Sequence, residues 1–131
     1  MNIDPKAHSL RIFVVENHTD TLLALRQYLE SLGHKVTTAR TLKEAIEKIP
    51  RENINVLLSD IALSDGSGWE LLQRITLSPN IFAVAMSGFC TTADIERSYQ
   101  VGFWYHLIKP FKVIEIDKIL EEAARATPSN K

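Results

Sequence analysis

Only one of the 131 residues is a cysteine, Cys90, so no internal disulfide can staple the chain, and Cys90 reads as a passive residue. Charge of one sign is also missing. Fifteen Lys and Arg face sixteen Asp and Glu, and a formal net charge of −1 offers no basic field for a phosphodiester backbone, which argues against direct nucleic-acid binding. No apolar run approaches the roughly 20 residues that a membrane span needs, so no membrane partner is expected. The first ten residues contain Asp4, Pro5, Lys6 and His8 rather than the apolar stretch of a secretory signal, and a cytoplasmic location is the expectation. Five glycines and five prolines are too few for a fibrous or low-complexity chain.

What is present is a globular composition, with 45% hydrophobic and 24% charged residues, at a length suited to one domain. That domain is expected over residues 10–126, between a flexible leader at 1–9 and a flexible tail at 127–131. Five short apolar runs read as strands buried on both faces: Arg11 to Val15, His34 to Thr38, Asn55 to Ser59, Ile81 to Met86 and Tyr105 to Ile108. Each is followed by a segment long enough for a crossover helix. Leu22, Leu25, Leu29 and Leu32 recur at helical intervals, with Thr19 as the predicted cap and Gly33 as the stop. Thr41 with Glu44 and Ser67 with Glu70 fit capping boxes, and Thr91 with Asp94 fits a weaker one before a stop at Gly102. A last helix from about Lys112 to Ala124 places Val113, Ile116, Leu120 and Ala123 on one side. Alternating β and α elements predict an α/β fold: a doubly wound (βα)5 domain with a five-stranded parallel sheet, its ligands beyond the carboxyl ends of the strands.

Those ends carry polar residues. Glu16 and Asn17 close the first run, Asp60 the third, Ser87 and Gly88 the fourth, and Lys109 and Pro110 the fifth. Converging on one rim, they offer carboxylates, an amide oxygen, a hydroxyl and an ammonium, a set suited to holding Mg²⁺ and transferring a phosphoryl group.

The ordered motifs RIFVVEN, LLSDIALSDGSGWELL, AVAMSG and HLIKPF resemble the receiver, or response-regulator, domains of two-component systems, from about Arg11 to Ala124. The resemblance implies the flavodoxin-like topology of the chemotaxis response regulators. It also implies that Asp60 is the phosphoacceptor, served by the phosphohistidine of a histidine kinase or a histidine phosphotransfer protein in a phosphorelay. Mg²⁺ would be held by Asp60, by Asn17, by the backbone carbonyl of Ala62 and by Glu16 through water. Ser87 and Lys109 would grip the phosphoryl oxygens. The Lys109–Pro110 bond would be cis, as only X-Pro bonds can be at low cost. Ser87 and His106 would form the switch, and helix 4, strand 5 and helix 5 would read it out to a downstream protein or a fused output domain. Such a domain modifies only its own side chain, so it is not counted as an enzyme.

Two positions depart from the family. Asn17 stands where the family has a second acidic residue. Losing a unit charge about 4 Å from another removes a gross attraction of about 4 kcal/mol at an effective dielectric of 20, so metal affinity should fall by about tenfold or more. Ser64 stands where proline is usual, which removes a restraint from the loop after Asp60. The alternative is therefore a phosphorylation-independent pseudo-receiver. Two other readings fare worse. A flavodoxin-like cofactor protein would place a phosphate against Glu16, and a haloacid-dehalogenase-type phosphatase needs a DxD motif that the chain lacks. His18, beside the acidic corner, is a possible metal neighbour. Trp69, Phe103, Trp104 and Phe111 read as packing residues, with Trp104 close to the readout face.

Overall fold

The computed structural model describes residues 9–126; the leader expected at 1–9, apart from Ser9, and the tail expected at 127–131 lie outside them. Five parallel strands are found among the described residues: β1 (Arg11–Val15), β2 (Lys35–Ala39), β3 (Val56–Asp60), β4 (Phe82–Ser87) and β5 (Tyr105–Ile108). They lie in the order β2-β1-β3-β4-β5. Two of the expected runs match to the residue, and the middle three start and end one residue later. Five helices alternate with the strands: α1 (Thr19–Ser31), α2 (Leu42–Lys48), α3 (Gly68–Arg74), α4 (Thr92–Val101) and α5 (Val113–Ala126). The doubly wound (βα)5 architecture is therefore observed.

Period-two alternation of apolar side chains splits the core into two layers. Ile12, Val14, Leu58, Val84 and Met86 face α1 and α5, where Leu22, Leu25, Leu29, Ile116, Ile119, Leu120 and Ala123 meet them. Phe13, Val15, Leu57, Ala83 and Ala85 face the opposite side and pack with Leu42, Ala45, Leu71 and Phe103. Central β3 is buried throughout, as its unbroken VLLSD run requires.

Local signals were partly realised. Thr19 is not the cap of α1: His18 takes that position and makes no side-chain capping bond. Thr41 and Ser67 each accept from the amide three residues on, but Glu44 turns its carboxylate to the Arg40 amide instead of closing the box. The weaker sequence signal, Thr91 with Asp94, makes the complete capping box: Thr91 Oγ1 accepts from the Asp94 amide at 3.1 Å, and Asp94 Oδ2 accepts from the Thr91 amide at 3.0 Å. Gly102 ends α4 with φ 118°, a conformation that side chains resist. In α5, Val113 is exposed and Ile119 takes the buried place expected for it.

Candidate functional site at the carboxyl rim of the sheet

Three strands deliver the central charges. Glu16 leaves β1 and is pinned by its amide to the Ala39 carbonyl of β2 at 3.0 Å. Asp60 ends β3, and the next amide, Ile61, bonds the Met86 carbonyl of β4 at 2.9 Å. Lys109 follows β5, its amide on the Ser87 carbonyl at 2.6 Å, and the Lys109–Pro110 peptide is cis, as expected. Backbone pairing thus fixes where each side chain starts, and the Lys109 ammonium joins them. It donates to Asp60 Oδ2 at 2.8 Å and also to Glu16 Oε1.

Both carboxylates are out of water, Glu16 at 0% exposure and Asp60 at 4%. Burial pushes the Glu16 carboxyl up, but the Lys109 ammonium and the His18 amide, 3.0 Å from Oε2, together carry it below the ordinary range. For Asp60 burial prevails: its carboxyl is raised, the Glu16 charge adds to the rise, and Lys109 and the Ala62 amide at 2.9 Å offset only part. Burial lowers the Lys109 ammonium, yet its two carboxylate partners raise it overall, so the lysine is charged at neutral pH. The result is one firmly ionised acid, one acid that resists ionisation, and a shared cation.

Asn17 Oδ1 is buried without a hydrogen-bond partner, a costly state for an amide oxygen. His18 Nδ1 lies 3.1 Å from Glu16 Oε2, and a ligand atom from each of Glu16, His18 and Asp60 falls within 4.8 Å of the others. Ser87 is buried at the end of β4, but its Oγ is bonded to His106 Nε2 at 2.7 Å. Glu16, Asp60 and Lys109 are therefore brought into direct contact, and Ser87 is linked to the group through the Lys109 backbone.

The loop after Asp60 is better held than Ser64 suggested. Ala62–Leu63 pairs antiparallel with Gly66–Ser67, and Asp65 accepts from the Leu42 and Lys43 amides at the start of α2, at 2.7 and 3.0 Å. Gly68 is packed so closely that an added Cβ would lie 2.6 Å from the Asp60 carbonyl oxygen. Neither residue was singled out from the sequence. Nor was Ser98, whose visible sign was a small polar residue on the sheet-facing side of α4.

Comparison with known proteins agrees with this geometry. The chain is 32% identical over 120 residues to an uncharacterised 14.6 kDa protein of Leptolyngbya boryana, covering 89% of this chain and 92% of that one. It is 30% identical over 112 residues to the transcriptional regulatory protein CrdR of Helicobacter pylori, covering 82% of this chain but only 51% of the regulator. A CheY-like response regulator receiver domain protein from Methanospirillum hungatei superposes with a TM-score of 0.81 at 29% identity, covering 91% and 99% of the two chains. Residues 12–121 match the response regulator receiver domain, and with 110 or so residues of sheet, helices and acidic rim accounted for, the chain belongs to that family of two-component signalling domains.

Proposed function

We propose that the chain accepts a phosphoryl group on Asp60 from the phosphohistidine of a histidine kinase or histidine phosphotransfer protein, and that the aspartyl phosphate switches a protein-interaction surface. The observation that carries this reading is the Lys109 ammonium bridging Asp60 and Glu16 beside the unpartnered Asn17 Oδ1. In the transfer, an Asp60 carboxylate oxygen forms a bond to phosphorus, and the phosphorus–nitrogen bond to the donor imidazole breaks. The leaving nitrogen keeps the electron pair, and because the other ring nitrogen already carries a proton, the donor departs as neutral imidazole. Lys109 supplies positive charge to the peripheral oxygens, and Ser87 turns its hydroxyl toward them.

The donors around Asp60 suit a hard cation, being mainly oxygens, and Asn17 Oδ1 is an acceptor still lacking its partner. Asp60, Asn17 and the Ala62 carbonyl, with Glu16 through water, would hold Mg²⁺, whose charge would offset that of the phosphoryl oxygens when bound. Asn17 contributes an oxygen without charge, so it weakens this site and does not remove it.

Ser87 and His106 form the switch in this reading. The readout surface of α4, β5 and α5 exposes Tyr99, Tyr105, Ile108, Val113 and Ile114, an apolar face suited to a protein partner. CrdR is about twice the length matched here, which favours a separate or fused output module as that partner. The chain works as a cytoplasmic signalling domain, not a turnover enzyme; no helix among the described residues is long and apolar enough to cross a membrane.

Intact mass spectrometry after incubation with acetyl phosphate and Mg²⁺ tests the reading. Wild type gains one phosphoryl group and Asp60→Asn gains none. No gain by wild type, at high Mg²⁺ and under conditions that slow acyl-phosphate hydrolysis, would overturn it in favour of a pseudo-receiver.

A further inference from the structure

A chain of hydrogen bonds leads away from Ser87 and into the helical layer. Ser87 Oγ lies 2.7 Å from His106 Nε2, and His106 Nδ1 lies 2.8 Å from Ser98 Oγ on α4. The Trp69 indole of α3 donates to the same Ser98 oxygen at 2.9 Å, and the Ser98 hydroxyl reaches the Asp94 carbonyl at 3.2 Å. Ser98 has no exposed surface, and Ser87 and His106 have little.

Proton bookkeeping selects one arrangement. The indole N–H can only donate and the Asp94 carbonyl can only accept. For all four contacts to be hydrogen bonds, Ser98 must give its single proton to Asp94 and receive from both Trp69 and His106. His106 then carries its proton on Nδ1, and its Nε2 lone pair accepts from the Ser87 hydroxyl. Burial, which pushes the His106 imidazolium toward deprotonation against a smaller opposing pull from Asp94, agrees with a neutral ring.

We propose that Ser98 is the anchor of the switch, a positioning residue that fixes the His106 tautomer and transmits the state of Asp60 to Trp69 on the seam between α3 and α4. The proposal rests on the phosphoacceptor reading for its trigger. When Ser87 turns its hydroxyl to a phosphoryl oxygen, the buried Nε2 lone pair loses its only donor in this chain of bonds, and the ring must move to find another. That movement withdraws the Nδ1–H from Ser98, which leaves the oxygen shared by Trp69 alone. The Trp69 ring carries the Arg97 guanidinium 4.2 Å from its centroid, so a shift of the indole reaches an exposed charge on α4. The α3–α4 seam thereby becomes a second outlet for the signal, apart from the β5 edge.

Nitrogen NMR of the imidazole and indole groups tests this, with Trp69→Phe and Trp104→Phe assigning the two indoles. In the unmodified wild type, His106 shows a neutral ring protonated at Nδ1; protonation at Nε2 would overturn the anchor role without involving phosphorylation. In Ser98→Ala the Trp69 indole N–H exchanges about five- to tenfold faster, the phosphoryl gain by mass is unchanged, and the Trp69 signal no longer moves on phosphorylation. Should that variant not fold, the His106 nitrogen shifts in Trp69→Phe, which keeps Ser98, must retain the Nδ1–H form. A wild type that gains phosphoryl mass but leaves the Trp69 signal unmoved overturns the coupling alone. A wild type that gains no mass overturns the phosphoacceptor reading and the coupling with it.

Discussion

Asp60 and Lys109 oppose each other in their effect on stability. The fold raises the Asp60 carboxyl, mainly by burial, so its ionised form is disfavoured relative to the unfolded chain. Stability is therefore lost as pH rises through the folded value. Asp60→Asn should melt at a higher temperature than wild type at pH 7, and the gap should close below the unfolded value of about 3.9. Lys109→Met does the reverse. It strands Glu16, whose side chain has no exposed surface, beside a second acid, and removal of one partner from a buried group of this kind costs about 3 kcal/mol. Thermal melts at neutral pH read both. At Asn17 the prediction concerns the metal: Asn17→Asp restores a charge at the corner and should tighten Mg²⁺ binding by about tenfold or more, read by calorimetric titration. An unchanged affinity would show that Asn17 Oδ1 does not serve the ion.

Among the elements, the β3–α3 connection does most to place the phosphoacceptor. Gly68→Ala would press a methyl against the Asp60 carbonyl oxygen at 2.6 Å and Ser59 Oγ at 3.1 Å, so the backbone must shift. The expected cost is about 1–3 kcal/mol of stability, together with slower phosphoryl gain. Asp65→Asn instead loosens the tie to α2. The α2 amides hold the Asp65 carboxyl below its usual range, so its contribution is present above the unfolded value and is lost as pH falls through the folded one. The variant should lose about 0.5–1 kcal/mol at pH 7, and its difference from wild type should vanish in acid. The strands were legible because parallel strands buried on both sides must be apolar throughout, and β3 is the clearest case. The Asp65 tie was not legible, since it joins a loop to the start of a helix 22 residues away, where spacing carries no signal. Cap geometry was legible only in part. Glu44 sits at the right distance from Thr41 but finds the Arg40 amide first.

For the whole molecule, the site was readable because four strand ends must meet once the fold is granted, and Glu16, Asp60 and Lys109 do meet. The route onward was hidden, because Ser98 and Trp69 approach His106 only through the packing of α3 and α4 on one face of the sheet. A further pH response follows from His34, a half-buried imidazole. His34 Nδ1 accepts from the Leu10 amide at 3.0 Å, and burial lowers its imidazolium. Stability should thus fall as pH drops below about 6.5 and through the lower folded value. In His34→Gln the slope of melting temperature against pH should flatten. Locating the phosphoryl group decides whether Asp60 is the phosphoacceptor. After loading with acetyl phosphate, borohydride reduces an aspartyl phosphate to homoserine, and peptide mass mapping finds the changed residue. Homoserine is expected at position 60 alone, and lost when Mg²⁺ is chelated during loading; an intact Asp60 with modification elsewhere would overturn the phosphoacceptor reading.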